Sequence, residues 1–228
     1  MIIGVNGYAG SGKDTVGKLI QIASCNNLPE GSDLEDIITN YDANQWWLEE
    51  QSTWEIKKWA GKLKTIAAML TGIPQEKFED QEFKKTDLGP QWDRQFYTEG
   101  KGWVKRPMQV REFLQLLGTD GLRTGLHENT WVNALMADYE GIYDLDTDRT
   151  TYPNWIITDT RFPNEAKAIK DAGGIVIRID RPGVSAINAH PSEIGLDDWE
   201  FDHRIMNGSD LVALLFTVGN ILRKEKLV

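Results

Sequence analysis

Near its amino end the chain reads Gly7-Tyr8-Ala9-Gly10-Ser11-Gly12-Lys13-Asp14-Thr15, and the spacing Gly7-x-x-x-x-Gly12-Lys13 carries chemistry. Glycines let successive backbone N–H groups turn towards one point, and the lysine adds a cation. Together these are the parts of a loop that cradles phosphate. The next position departs from the usual pattern, because a serine or threonine hydroxyl is expected there to hold magnesium and the chain has Asp14. A carboxylate can bind the metal itself or orient one of its waters, since magnesium keeps much of its water shell. The plain alternative is an acid that only favours a helix dipole. Thr15 is left to contact an α-phosphate from the helix end. By accident the spacing arises roughly once in fifteen chains of this length, so the weight falls on its context. It follows the apolar run 1–6 and opens Lys13–Ala23, where Val16, Leu19, Ile20 and Ala23 recur at helical spacing. Strand, loop and helix in that order is what phosphate binding demands.

A second acid is expected beside such a loop, at the carboxyl end of a neighbouring strand, where open α/β sheets place their sites. "WIITD" at 155–159 ends in Asp159, a candidate for water-mediated magnesium or for orienting the attacking group of an acceptor. The simpler reading is an Asp that starts a turn. Arg161, two residues on, would add a guanidinium to the same crevice. Phosphoryl transfer asks for cations more than for covalent chemistry, because charge spreads over the oxygens of the transferred group. Arg111, Arg123, Arg161, Arg181, Lys64, Lys84 and Lys85 form the pool, with Lys84, Lys85 and Arg181 equally readable as solvated surface. His190 and Glu193 in "AHPSE" lack a third ligand at metal spacing and read as structuring a loop. Trp131 reads as a ring that stacks on a base or as core.

The elements that must position these groups are legible in outline. "TWEIKKWA" at 53–60 predicts a short strand, and 62–70 a helix closed by Gly72 and Pro74, with Lys64 in its first turn. Residues 75–107 are aromatic, charged and irregular, with turn signals at Gly89-Pro90 and Gly100-Lys101-Gly102, and read as a flap or lid-like segment. A helix over 108–118, ended by Gly118, sets Val110, Phe113, Leu114 and Leu117 on one face and Arg111 and Gln115 on another. Further helices are predicted over 131–139, 163–172 and 209–226, the last capped by Ser209. Strands over 155–159 and 174–179 flank the 163–172 helix, which implies a parallel sheet with a crossover helix.

Bulk properties narrow the classes of function. The chain has 228 residues, 40% of them hydrophobic, enough for a single well-cored domain over 1–228. Its formal net charge of -10 opposes a broad footprint on nucleic acid or an anionic membrane, while small phosphorylated ligands need only a few local cations. Residues 24–52 hold seven acids and no Lys or Arg, and read as an acidic, solvated helical insert. One cysteine, Cys25, excludes a disulfide framework and a Cys-rich zinc site and fits a reducing compartment. With no basic leader and no run long enough to span a membrane, the expected location is the cytoplasm.

"GYAGSGKDT", "WAGKLKTIA", "FEDQEFKKTDL", "REFLQLLGTDGLR", "NTWVNAL", "ITDTRFPNEAKAI", "VIRIDRPG" and "HPSE", in that order, resemble the bacteriophage-type deoxynucleoside monophosphate kinases, a branch of the P-loop nucleoside monophosphate kinase superfamily. The resemblance spans nearly the whole chain apart from the acidic insert, and Lys-Asp-Thr after the second glycine is normal in that family. It implies a three-layer α/β fold with a central parallel sheet flanked by helices. It implies ATP and Mg²⁺ at Gly10, Ser11, Gly12, Lys13, Asp14 and Thr15, with Asn207 as a weak base contact. It also implies a small-molecule acceptor, a deoxynucleoside monophosphate, held by Lys64, Arg111, Gln115, Gly118, Thr119 and Trp131. Asp159 and Arg161 would stand at the transfer site, and Lys85 would be the flap cation. Host cytoplasm is implied if the gene is phage-borne, and a homodimer is compatible with the sequence. The rival acceptors are dephospho-coenzyme A or phosphomevalonate, and the rival class is a P-loop ATPase or switch with no small acceptor.

Overall fold

The computed structural model describes residues 1–25, 33–185 and 194–228. His190 and Glu193 lie outside the described residues. Strand β1 (Ile2–Asn6) is buried along its whole length. Alternation divides its side chains between two faces: Ile3 and Val5 enter the core that α1 (Lys13–Ala23) helps to form, and Gly4 opens towards α7 (Pro163–Asp171). A Cβ at Gly4 would stand 2.4 Å from Ile169 Cδ1, so this glycine sets how closely α7 lies on the strand.

β1 is the middle of a five-stranded parallel sheet ordered β2-β7-β1-β8-β9, with β2 at Trp54–Lys57, β7 at Asn154–Ile157, β8 at Ile175–Asp180 and β9 at His203–Met206. Ile3 lies opposite Ile156 of β7 and Ile175 of β8. Strands covered on both faces read as nearly continuous apolar runs, as "NWII" and "IVIRID" do. The helix after β1 and the helix after β7 go to opposite faces although the two strands are neighbours. Their carboxyl ends therefore form the switch point at which open α/β sheets bind ligands.

One face carries α1 and the C-terminal helix α8 (Leu211–Lys224), joined by α2 (Leu34–Thr39) and α3 (Tyr41–Gln51) from the acidic stretch. That stretch is not merely solvated: Ile37, Ile38, Tyr41 and Leu48 are buried in the same core as Leu19, Val218 and Leu222. The Tyr41 hydroxyl donates to Gln21 Oε1 and Gln21 Nε2 donates to Trp54 O at 2.8 Å, so one buried amide joins α3, α1 and β2. Burial pushes the Tyr41 phenol up to about 12, with Glu49 and Asp42 adding to the shift. The cap of α8 is Asp210, which accepts from Ala213 N at 2.8 Å, and not Ser209.

The described chain divides into two compact units, residues 1–59 with 136–228, and 60–135. The second has its own core of Ala67, Phe78, Leu88, Val110 and Phe113. It contains α4 (Gly61–Thr71), closed by left-handed Gly72, and α5 (Val110–Gln115). It also holds an antiparallel hairpin of β3 (Arg94–Thr98) and β4 (Gly102–Arg106) inside the stretch read as irregular. Both faces of the hairpin are largely exposed, so its strands lack the one-sided apolar alternation that marks a half-buried strand. The helix also does not stop at Gly118: it continues as a π-helical stretch, Leu116–Thr124, before α6 (Thr130–Met136). Gly118 is not in the left-handed conformation of a helix terminator; a Cβ there would meet Leu63 Cδ2 at 2.9 Å, so close packing accounts for it. A second hairpin, β5 (Ile142–Asp144) with β6 (Arg149–Thr151), belongs to the first unit.

Candidate active site

The glycine run lies between the carboxyl end of β1 and the first turn of α1. Gly10 and Gly12 have φ of +80° and +97°, in the region L side chains avoid, and Gly12 caps α1 with no side-chain bond to its first N–H groups. An eleven-residue helix with an uncapped amino end presents amides and the positive end of its dipole to an anion. Three further observations fit phosphate. Ser11 Oγ is buried, with no hydrogen-bond partner among the described residues. Among the described residues, nothing lies within 4 Å of a Cβ built on Gly10. The ammonium of Lys13 donates to Gly7 O at 2.7 Å and Tyr8 O at 2.8 Å, so a cation already belongs to the loop.

The neighbouring strands hold the loop in place. Asn6 Nδ2 donates to Thr160 O at 2.8 Å and Arg178 Nη1 donates to Asn6 Oδ1 at 2.5 Å. The Arg178 guanidinium lies 4.4 Å from the centre of the Tyr8 ring and also reaches Asp180 and Asp197. Arg181 Nη1 donates to Gly10 O at 3.2 Å. Asn207, expected as a base contact, gives its side-chain N–H to Ser11 O at 2.8 Å, and a Cβ at Gly12 would come within 2.4 Å of that amide nitrogen. Arg178 had no signal in the sequence beyond a charge in an otherwise apolar strand. That signal was usable, since an arginine buried in a central strand must have partners.

Asp14 stands in the first turn of α1. Its Oδ1 accepts from Thr158 Oγ1 at 2.9 Å and lies 3.4 Å from Lys58 Nζ. Desolvation pushes the carboxyl up, and the Lys58 ammonium, the Thr158 hydroxyl and the charge of Lys13 outweigh it, leaving the group below its ordinary value. Gly17, one turn on, explains the approach: a Cβ there would stand 2.5 Å from Thr158 Cγ2. Oxygen donors and a lone carboxylate suit magnesium, which takes one or two carboxylates together with phosphate and water. Among the described residues no group of three His, Cys, Asp or Glu forms a dedicated metal cage.

The β2–β7 ladder runs on past the strands. Thr158 N donates to Lys57 O at 3.4 Å, and Trp59 N donates to Asp159 Oδ1 at 2.8 Å. Asp159 thus lies in the turn that follows β7, with its carboxylate anchored to the backbone beyond β2. Arg161 N donates to Glu165 Oε2 at 2.8 Å, which fixes the backbone from which its side chain springs. The structure thus brings the loop, Asp14, Asp159 and Asn207 onto one end of one sheet, with Arg161 on the same β7–α7 connection.

The remaining predicted residues lie in the second unit. Lys64, with a side chain 9% exposed, pairs with Glu79. Arg111 Nη2 donates to Gln81 Oε1 at 3.4 Å, and Lys85 pairs with Glu82 at 2.7 Å on the surface. Gln115 ends α5, and Gly118 and Thr119 fall in the π-helical stretch. Trp131 is buried, and its indole N–H donates to Gly118 O at 2.9 Å.

A parallel sheet with a glycine loop and a helix N-terminus at its switch point defines an α/β protein of the P-loop kinase fold. A family model described as deoxynucleotide monophosphate kinase matches residues 100–218, just over half of the chain, and the chain belongs to that family. The putative deoxynucleotide monophosphate kinase of Acanthamoeba polyphaga mimivirus is 38% identical over 93 residues, covering 38% of this chain and 46% of that protein. The deoxynucleotide monophosphate kinase of Enterobacteria phage T4 is 32% identical over 120 residues, covering 53% of this chain and 48% of that protein. In both cases the match spans about half the length of the relative. The deoxynucleoside-5′-monophosphate kinase of Escherichia phage T5 is 28% identical over 242 residues, 92% of this chain and 90% of that protein. Among the described residues no helix is long and apolar enough to cross a membrane.

Proposed function

We propose that the chain transfers the γ-phosphoryl group of ATP to a deoxynucleoside 5′-monophosphate. The observation that carries this reading is the uncapped start of α1 beneath the glycine loop, with the Lys13 ammonium folded on it and Asp14 and Asp159 beside it, in a chain of this family. Gly10, Ser11, Gly12, Lys13 and Thr15 hold the polyphosphate: the amides bind its oxygens, and Lys13 leaves the carbonyls of Gly7 and Tyr8 to bridge the terminal phosphates. Asp14 holds Mg²⁺ directly or through a water, and the bound metal supplies positive charge at the phosphate oxygens. Asp159 orients the attacking oxygen of the acceptor, and Arg161 neutralises charge on the transferred group.

On the acceptor side, Lys64 and Arg111 fix the monophosphate, with Gln115 and Thr119 as polar contacts and Lys85 as a flap cation. Gly118 and Trp131 form one packed pair, so Trp131 serves by shaping the helix that carries these groups. Asn207 serves by bracing the loop. No protein nucleophile is required, because positioning and charge stabilisation lower the barrier of phosphoryl transfer. A coupled ADP-release assay with deoxy and ribo monophosphates, dephospho-coenzyme A and phosphomevalonate tests the reading. Turnover with one or more deoxynucleoside monophosphates, abolished by Lys13→Ala, is the expected result. Turnover that survives Lys13→Ala, or hydrolysis indifferent to every acceptor, refutes it.

A further inference from the structure

Lys58 follows the last residue of β2 and sits at the carboxyl edge of the sheet, because β2 pairs with β7 and β7 with β1. The ladder bond from Thr158 N to Lys57 O puts Lys58 and Thr158 side by side, and both reach one oxygen of Asp14, at 3.4 Å and 2.9 Å. The two are not alike. Thr158 is buried and fixed by close packing against α1. Lys58 has a side chain 30% exposed on a flexible stem, a cation able to move.

We propose that Lys58 is the counter-ion that Asp14 exchanges for the metal. With no nucleotide in the loop, its ammonium neutralises the carboxylate. When a divalent cation arrives together with a polyphosphate, the ammonium transfers to phosphate oxygens while Thr158 keeps the carboxylate oriented. The inference rests on the reading that the loop takes a metal–nucleotide complex. Its physical basis is the balance of charge at one point. A bare divalent cation at Asp14 would face two ammonium groups, Lys58 and Lys13, and be repelled. The same cation carried in on a polyphosphate brings an excess of negative charge that gives both lysines partners. Lys58 thus refuses free metal and couples metal binding to nucleotide binding, so that each tightens the other.

The test uses Mn²⁺ as the probe cation, read by electron paramagnetic resonance on nucleotide-free protein, and ATP binding in EDTA read by calorimetry. Lys58→Met is expected to bind Mn²⁺ about tenfold more tightly than the unaltered chain, and ATP without metal about tenfold more weakly, the size of one charge removed beside a carboxylate whose side chain is 70% exposed. Lys58→Gln serves as a second neutral variant, and Lys58→Arg is expected to keep the original behaviour in both titrations. Combining Lys58→Met with Asp14→Asn is expected to abolish the gain in Mn²⁺ affinity. Neutral variants that leave both titrations unchanged overturn the inference, as does a gain that survives loss of Asp14. ATP binding that persists in Lys13→Ala would instead overturn the assignment of the nucleotide site itself. Loss of ATP binding in Lys13→Ala beside an indifferent Lys58→Met overturns only the role of Lys58.

Discussion

Gly17→Ala should destabilise the sheet-bearing unit, and Thr158→Ser should rescue it. In a solvated helix interior the same change would be favourable by up to about 1 kcal/mol, because glycine is the poorer helix former. Here the added methyl would stand 2.5 Å from Thr158 Cγ2, about 1 Å inside ordinary carbon contact, with Ile156 Cγ2 and Ile56 Cδ1 closing the sides at 3.6 and 3.8 Å. Thr158 cannot swing its methyl away without surrendering the bond from Oγ1 to Asp14. Overpacking of this kind costs about 1–3 kcal/mol, so the net loss after the gain in propensity is about 1 kcal/mol. Thr158→Ser removes the clashing carbon and keeps the hydroxyl. Alone it costs about 1 kcal/mol for a buried methyl; in the Gly17→Ala background the new methyl fills the space it leaves. Urea denaturation of the four proteins should give a coupling of about 1–2 kcal/mol, where independent sites add to within about 0.3–0.5 kcal/mol. Metal-dependent ATP affinity should fall in Gly17→Ala and return in the double variant. Additive costs would refute the close approach of α1 to β7 that sets Thr158 against Asp14.

Asn207→Ala removes one hydrogen bond from the loop and should weaken polyphosphate binding about two- to thirteenfold, the worth of about 0.5–1.5 kcal/mol. Tripolyphosphate and ATP should lose affinity equally; a loss confined to ATP would return Asn207 to the base. The hydrogen bonds of Arg106 hold the Glu112 carboxyl below its ordinary value, with Arg94 adding to the effect. A carboxyl depressed in the folded chain contributes stability above the ordinary glutamate range and loses it as pH falls through the lowered value. The side-chain signals of Phe96 and Val104, on the hairpin face that carries Arg94 and Arg106, should therefore shift on acidification below that range, read by nuclear magnetic resonance, and Glu112→Gln should abolish the transition.

What the sequence made legible was local. The start of α1 was readable because a spacing, a lysine and a helical period coincide within the stretch 1–23, and Gly72 closes α4 because a left-handed residue ends a helix whatever surrounds it. The parallel sheet followed from the apolar strands and the short crossover between β7 and β8. What escaped was set by distance along the chain. Lys58 and Thr158 touch Asp14 because the strand order is β2-β7-β1, and Thr158 is 144 residues from its partner. No window of sequence contains that order. The β3–β4 hairpin escaped for a different reason: aromatic and charged residues share both of its faces, so no burial alternation betrays it. Gly118 misled because glycine has two uses, to end a helix or to admit a neighbour, and only packing against Leu63 decides between them.

The acid in place of a hydroxyl after Lys13 has a structural counterpart that its own segment cannot show. A hydroxyl does stand beside that position, but Thr158 brings it from the end of β7 and binds the carboxylate with it. Moving the hydroxyl onto a neighbouring strand leaves a negative charge in the loop, which would repel a polyphosphate if it stood alone. Lys58, at the end of the next strand out, supplies the balancing charge. The three groups meet at one carboxylate oxygen, and Gly17 is the residue that lets α1 come close enough to Thr158. On the proposed function this predicts an order of importance that a simple tally of charges would not. Asp14→Ser should not restore the usual pattern, because the new hydroxyl would face Thr158 and remove the carboxylate that Lys58 and Thr158 both reach. ATP affinity in the presence of Mg²⁺ is the measurement, and recovery to the level of the unaltered chain would show that Asp14 and Thr158 act independently.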